Sequence, residues 1–134
     1  MRCLPWLNLA CDKPYWITRS HFLNYFDQAD FELRDRLVVL PVYLAEWFHF
    51  DDHGVRMFIL PTVQCVDGRT QFINGRHRTA VLLATAEVIP IALVEPFRID
   101  EKAYLEITSR PINTTEYLEL PDLTIQTGLS GGRS

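Results

Sequence analysis

The 134-residue chain has no long apolar run, no cysteine framework and no excess of positive charge. A membrane-spanning helix needs about 20 consecutive apolar residues, and no such stretch occurs, nor any secretory leader pattern. A cytoplasmic protein without a membrane partner is therefore expected. The cysteines, Cys3, Cys11 and Cys65, number three and form neither a CxxC pair nor a finger spacing. That argues against a disulfide scaffold and against a zinc finger. Cys3 and Cys11 would pair only in an oxidising compartment. Thirteen Lys and Arg stand against 17 Asp and Glu, a net charge of −4. Broad, sequence-independent binding to nucleic acid usually needs a basic surface, although a small basic site is compatible with an acidic chain. Internal repeats and low-complexity linkers are also missing.

What is present fits one compact core. Hydrophobic residues make up 48% and charged residues 22%, close to ordinary globular usage. The expected division is one domain over 1–126 and a frayed, glycine-containing tail over 127–134. "CLPWLNLA" predicts a short strand near the N-terminus. "ITRSHFLNYFDQ" predicts a helix from an N-cap at Ser20 to about Gln28, with Phe22 and Phe26 at helical spacing. "DFELRDRLVVLPVYLAEWFHF" reads as a strand and then a helix, or otherwise, with Pro41 as punctuation. "VRMFILPTVQCV" is rich in β-branched and aromatic residues and predicts one strand. Asp67–Gly68 predicts a hairpin turn to a second strand, "RTQFI". After "NG", the segment "RTAVLLATA" is apolar nearly all round and predicts a buried helix. "VIPIALVEP" predicts another strand, and "YLEITSR" and "EYLELPDLTI" fit helix or strand. The order gives an α+β class with a mixed sheet.

One stretch breaks a local rule. The helix that begins after "FING" carries Arg76, His77 and Arg78 in its first turn. A helix N-terminus is electropositive and disfavours each cation by a few tenths to about 1 kcal/mol. It also leaves its first backbone N–H groups without helical partners. Donors, dipole and cations there converge on one spot, and an anion would satisfy all of them. Asn74 is expected to N-cap the helix and Gly75 to permit close backbone approach. A phosphate or carboxylate would gain about 1.5–3 kcal/mol per charge-assisted hydrogen bond, more than the misfit costs. The plainer reading is that these cations pair with surface carboxylates.

"VDGRTQFINGRHRTAVLLA" resembles the central motif of the ParB N-terminal/sulfiredoxin-like superfamily. The resemblance rests on Asp67, Gly68, Ile73, Asn74, Gly75, His77, Arg78 and Ala80, is centred on Asp67 to Ala86, and extends over about Met57 to Val94. It implies a small mixed-sheet domain of ParB/sulfiredoxin-like type, with nucleotide or phosphate bound at this turn. Members include partition-protein clamp domains that bind CTP, sulfiredoxins that use ATP, and free-serine kinases that use ADP or ATP. Carried across, Gly75, Arg76, His77 and Arg78 contact phosphates and Asn74 shapes the turn. A nucleoside triphosphate with Mg2+ is the implied cofactor class. Sulfiredoxins carry cysteine where this chain has Arg76, so the sulfinic-acid reductase reaction is not expected. Partition proteins add a helix-turn-helix domain and a dimerisation segment, and with only about 40 residues after the last clear strand, specific DNA reading in that style is not expected. The kinases need a carboxylate base that no acidic residue here matches.

Other residues offer less. "HFDDH" (His49 to His53) contains metal-ligand types, and Asp51 or Asp52 could hold Mg2+ or take a proton. The same residues also make an exposed turn. Asp12 is another carboxylate of this kind, beside Tyr15 and Trp16, whose rings suit nucleobases. Arg56 and Arg69 flank the hairpin strands and could extend the basic patch. Cys65 lies in an apolar strand and fits a small buried side chain.

Three functional readings are open to such a chain. In the first, a nucleotide or phosphorylated small molecule binds at Gly75–Arg78. Phosphoryl transfer or hydrolysis could then occur, with His77 as donor or acid and Asp52 as the assisting carboxylate. In the second, the same turn grips nucleic-acid backbone. In the third, the pocket is dead and the aromatic residues serve protein interaction, including a homodimer.

Overall fold

Short β-branched and aromatic runs, separated by proline, glycine and Asx turns, give this chain many brief strands and few helices. The computed structural model describes residues 1–25, 40–66, 69–94 and 110–127; the side chains of 24, 25, 65, 66 and 69–71 lie outside that description. The N-terminal strand β1 (Arg2–Trp6) buries Cys3 and Pro5 and leaves Arg2 and Trp6 exposed. After a turn come β2 (Lys13–Thr18) and helix α1 (Arg19–Tyr25). Thr18 Oγ1 accepts a hydrogen bond from His21 N at 3.2 Å, the reach of an N-cap to the third helical residue. The cap therefore falls on Thr18, and Ser20, the expected cap, is already inside the helix.

Residues 26–39, which hold the expected end of that helix with Phe26 and the first part of the ambiguous segment, lie outside the described residues. Past Pro41 the chain forms β3 (Tyr43–Leu44), a 3-10 turn (Ala45–Trp47) and β4 (Phe48–Phe50). Residues 42–50 contain no α-helix. The aromatic run Tyr43, Trp47 and Phe48 is buried by packing, a tertiary demand that a single turn of 3-10 helix meets.

The run "VRMFILPTVQCV" is not one strand. It divides into β5 (Arg56–Ile59) and β6 (Thr62–Val66), which belong to different sheets. Pro61 has no N–H to give to a ladder. On one side of it, Leu60 N donates to Trp6 O at 3.1 Å; on the other, Pro61 O accepts from Ala92 N at 2.8 Å. The expected hairpin is present as β6 against β7 (Arg69–Asn74), with Val66 opposite Arg69; Asp67 and Gly68 themselves lie outside the described residues. Helix α2 (Arg76–Thr85) and β8 (Val88–Leu93) come next, as expected. The last strands are two residues each: β9 (Arg110–Pro111), β10 (Leu118–Glu119) and β11 (Ile125–Gln126). Most of "YLEITSR" and of the tail lies outside the described residues.

Among the described residues the strands form three sheets, β10-β1-β5-β4, β11-β3 and β7-β6-β8-β2-β9. Parallel pairs (β1 with β5, β6 with β8) mix with antiparallel ones (β4 with β5, β2 with β8). The result is one small domain of mixed sheets with few helices, compatible with α+β. Phe22, Tyr43, Trp47 and Phe58 are fully buried. Helix α2 buries every residue from Arg78 to Leu83, so it is enclosed on most sides as its composition predicts. Among the described residues no helix is long and apolar enough to cross a membrane.

Candidate anion site

The turn between β7 and α2 is built by three neighbouring irregularities. First, the β6–β7 ladder shifts register: Thr62 pairs with Asn74, but Val63 pairs with Phe72. Ile73 is the additional residue and is 49% exposed. Such a bulge bends a strand and re-aims the residues beyond it. Second, Gly75 adopts φ 93° and ψ 21°, the left-handed region. Third, a Cβ at Gly75 would lie 2.7 Å from both Cα and Cβ of Pro61 and 2.8 Å from Nη2 of Arg78. Only glycine fits both the backbone angle and the space.

Gly75, not Asn74, is the N-cap of α2, and no side chain caps the helix. Asn74 Oδ1 instead accepts a hydrogen bond from Arg78 Nη2 at 2.9 Å. Asn74 closes β7, so its oxygen faces the guanidinium one turn on rather than the helix N–H groups. The carbonyl of Gly75 takes both Thr79 N and Thr79 Oγ1 at 2.9 Å, which fixes the first turn.

Arg76, His77 and Arg78 share this turn, but each rests on a different neighbour, because consecutive helical positions do not face one way. The guanidinium of Arg76 stands 5.5 Å from the centre of the Phe72 ring. His77 meets Trp47 edge to face, with ring centres 5.3 Å apart and planes at 80°. Arg78 folds inward and is 4% exposed. Its Nε is buried without a hydrogen-bond partner. Arg78 has no ion pair among the described residues, where Met1 ammonium pairs with Asp122 and Arg2 with Glu119. Burial lowers the Arg78 pKa to about 10, partly offset by the carboxylate of Glu46. The turn therefore holds a buried cation whose one direct polar partner is a neutral amide. The fully buried indole of Trp47 adds another N–H, Nε1, without an acceptor.

The remaining candidates are placed elsewhere. Arg69 opens β7 five residues before Asn74. A strand rises about 3.3 Å per residue, so its backbone lies roughly 16 Å from the turn. Asp52 is exposed in the β4–β5 connection. That connection is a turn held by Asp51, whose Oδ1 accepts Val55 N and His53 N at 2.8 Å. These bonds, Val55's first, hold the Asp51 carboxyl below its usual value. Among the described residues no group of three or more His, Cys, Asp or Glu is arranged to hold a metal. Arg56 lies 5.8 Å from the Phe48 and Phe50 ring centres, and Trp16 lies 5.7 Å from the Arg110 guanidinium. Cys3 and Cys11 are free thiols, and burial raises the Cys3 pKa to about 11.

Sequence reading did not single out Trp47 and Glu46 as partners of the turn, nor Pro61, Thr62 and Asn8 as its support. Asn8 Nδ2 donates to Thr62 Oγ1 at 2.9 Å, and Thr62 is the cross-strand partner of Asn74. No spacing signal links residues so far apart in the chain.

No model of a known family, curated protein or solved structure matches the chain.

Proposed function

We propose that the protein binds a phosphorylated small molecule or nucleotide at the first turn of α2. The observation that carries this reading is Arg78: a solvent-excluded guanidinium, without an ion pair among the described residues, whose Nη2 lies 2.8 Å from where a Cβ on the helix-capping Gly75 would stand. An unpaired buried charge costs several kcal/mol. The cost has a purpose if an anion completes the site. Arg78 then charges the turn from behind, where water screens it little. A unit negative charge about 5 Å away would gain on the order of 3 kcal/mol at an effective dielectric near 20. The N–H groups of the first turn would supply direct contacts in front, flanked by Arg76 and His77.

The resemblance of "VDGRTQFINGRHRTAVLLA" to the ParB N-terminal/sulfiredoxin-like superfamily supports a phosphate as that anion, and a nucleoside triphosphate with Mg2+ as one candidate. Phosphoryl transfer or hydrolysis would rest on charge stabilisation and positioning. His77, which meets the Trp47 ring, would act as donor or acid, with Asp52 as the assisting carboxylate.

Thermal denaturation with inorganic phosphate, ATP, ADP, CTP and GTP, with and without Mg2+, tests the reading. Stabilisation by at least one of these, lost in Arg78→Met, is the expected result. No stabilisation by any of them rejects it. A shift produced by short DNA alone, steeply weakened by salt, would favour a nucleic-acid backbone as the ligand.

A further inference from the structure

Arg56 and Arg78 each have Nε buried without a hydrogen-bond partner. Native structures pair nearly all such atoms, so each orphan needs a reason. Arg78 belongs to the α2 turn. Arg56 opens β5, and the residue that packs against Gly75, Pro61, comes just past the other end of that strand. The two guanidinium groups therefore serve different places. Among the described residues no hydrogen bond or ion pair compensates the charge of Arg56.

Arg56 lines a cleft of about 210 Å³ together with Ala45, Phe48, Phe50, Ile125 and Thr127. The cleft opens where two sheets part. β4 and β5 end one of them, and β11 with β3 makes the other. Phe48 is a fixed wall: it is buried, and its ring meets Tyr43 at 5.6 Å with planes at 86° and Phe58 at 5.4 Å. Phe50 stands across the ladder from Arg56 and is 62% exposed. The guanidinium lies 5.8 Å from both of these phenylalanine ring centres. An apolar cleft with a single placed charge is the usual make-up of a small-molecule site.

The chemistry of the cleft narrows the ligand. A planar guanidinium takes a carboxylate through two parallel N–H···O bonds. With Nε sealed off, the Nη groups are the ones a ligand meets. One positive charge balances a monoanion. A phosphate dianion would bring a second charge against apolar walls that cannot solvate it. The volume falls below the roughly 300–1,000 Å³ of drug-sized sites, which suits one ring or a short branched chain.

We infer that this cleft is a second ligand site, for a small monocarboxylate with an apolar body. The carboxylate takes the Nη groups of Arg56, and the body lies against Phe48, Phe50 and Ile125. The site does not depend on what binds at the α2 turn.

Chemical-shift titration of the isotope-labelled full chain tests this with benzoate and isovalerate. Acetate, which lacks the body, and benzyl alcohol, which lacks the charge, are the controls. A hydrogen-bonded ion pair predicts that at least one of the first two binds about tenfold or more tighter than either control. Its shifts should fall on Phe50, Arg56 and Thr127. Arg56→Met keeps an apolar stem and removes the charge, so the preference over benzyl alcohol should drop to about twofold or less. Ala45→Phe fills the cleft with the charge in place. It should abolish binding, and it serves as the test if Arg56→Met does not fold by circular dichroism. No binding of benzoate or isovalerate, shifts confined to Gly75–Arg78, or a preference that survives either substitution in a folded variant overturns the site.

Discussion

Arg78 Nη2 donates to Asn74 Oδ1 at 2.9 Å, so a buried guanidinium is held by a neutral amide one helical turn before it. The arrangement fixes where the charge sits without cancelling it. An arginine paired with a carboxylate would be more comfortable in the apo protein and would offer a ligand less.

Replacing Arg78 should therefore have opposite effects with and without ligand. An apolar side chain of similar length removes an uncompensated charge, and such changes are often neutral or stabilising by about 1–4 kcal/mol. Asn74 is half-buried and can turn to water. Arg78→Met should unfold at the same or higher urea concentration than wild type in phosphate-free buffer. In saturating phosphate it should unfold at a lower one.

Gly75→Ala tests the turn itself. A left-handed backbone costs a non-glycine residue roughly 1–2 kcal/mol. The added methyl would stand 2.7 Å from two atoms of Pro61, and overpacking of this kind costs about 1–3 kcal/mol more. Urea unfolding should show a loss of about 2–5 kcal/mol, with phosphate binding weakened in whatever fraction remains folded.

Glu46 is the carboxylate that acts on Arg78, and it is exposed. It shares its 3-10 turn with Trp47, which touches His77, so it competes for the same positive field as a bound anion. Glu46→Gln should tighten phosphate binding a few-fold at low ionic strength, and the gain should fade as salt rises. Calorimetric titration at two salt concentrations checks both parts.

Asp12 gives a pH dependence with a defined sign. Burial puts its folded pKa above its unfolded one. The charged form is therefore penalised in the fold, and the penalty is largest above the folded pKa. It shrinks as pH falls and vanishes below the ordinary carboxylate range. Asp12→Asn should be more thermostable than wild type at neutral pH, and the two melting curves should approach one another in acid.

Local chemistry made much of this legible beforehand. The hairpin, the enclosed helix and the strand after it each carry their own signal: a "DG" turn, an apolar stretch without a polar face, and a β-branched run. The basic turn was visible because it violates a local electrostatic rule. The sequence was silent where long-range packing decides. Asn74 has a side chain suited to capping, but the left-handed Gly75 takes that position and the amide goes to Arg78. Cations adjacent in sequence suggested one cluster, whereas Phe72, Trp47 and Asn74 draw them apart. Asn8 reaches the turn only through Thr62, the cross-strand partner of Asn74, which no stretch of sequence encodes.

The break at Leu60–Pro61 has a consequence for how the molecule comes apart. A single run of chain contributes β5 to one sheet and β6 to another, and its first sheet closes only when residues 2–6 and 118–119 arrive. Neither sheet can be completed by a fragment cut on either side of Pro61. Unfolding should pass through one cooperative transition with coincident probes. Refolding should be slow for a chain of this length, because its earliest strand, β1, must meet β10 near the far end of the described residues before that sheet is complete.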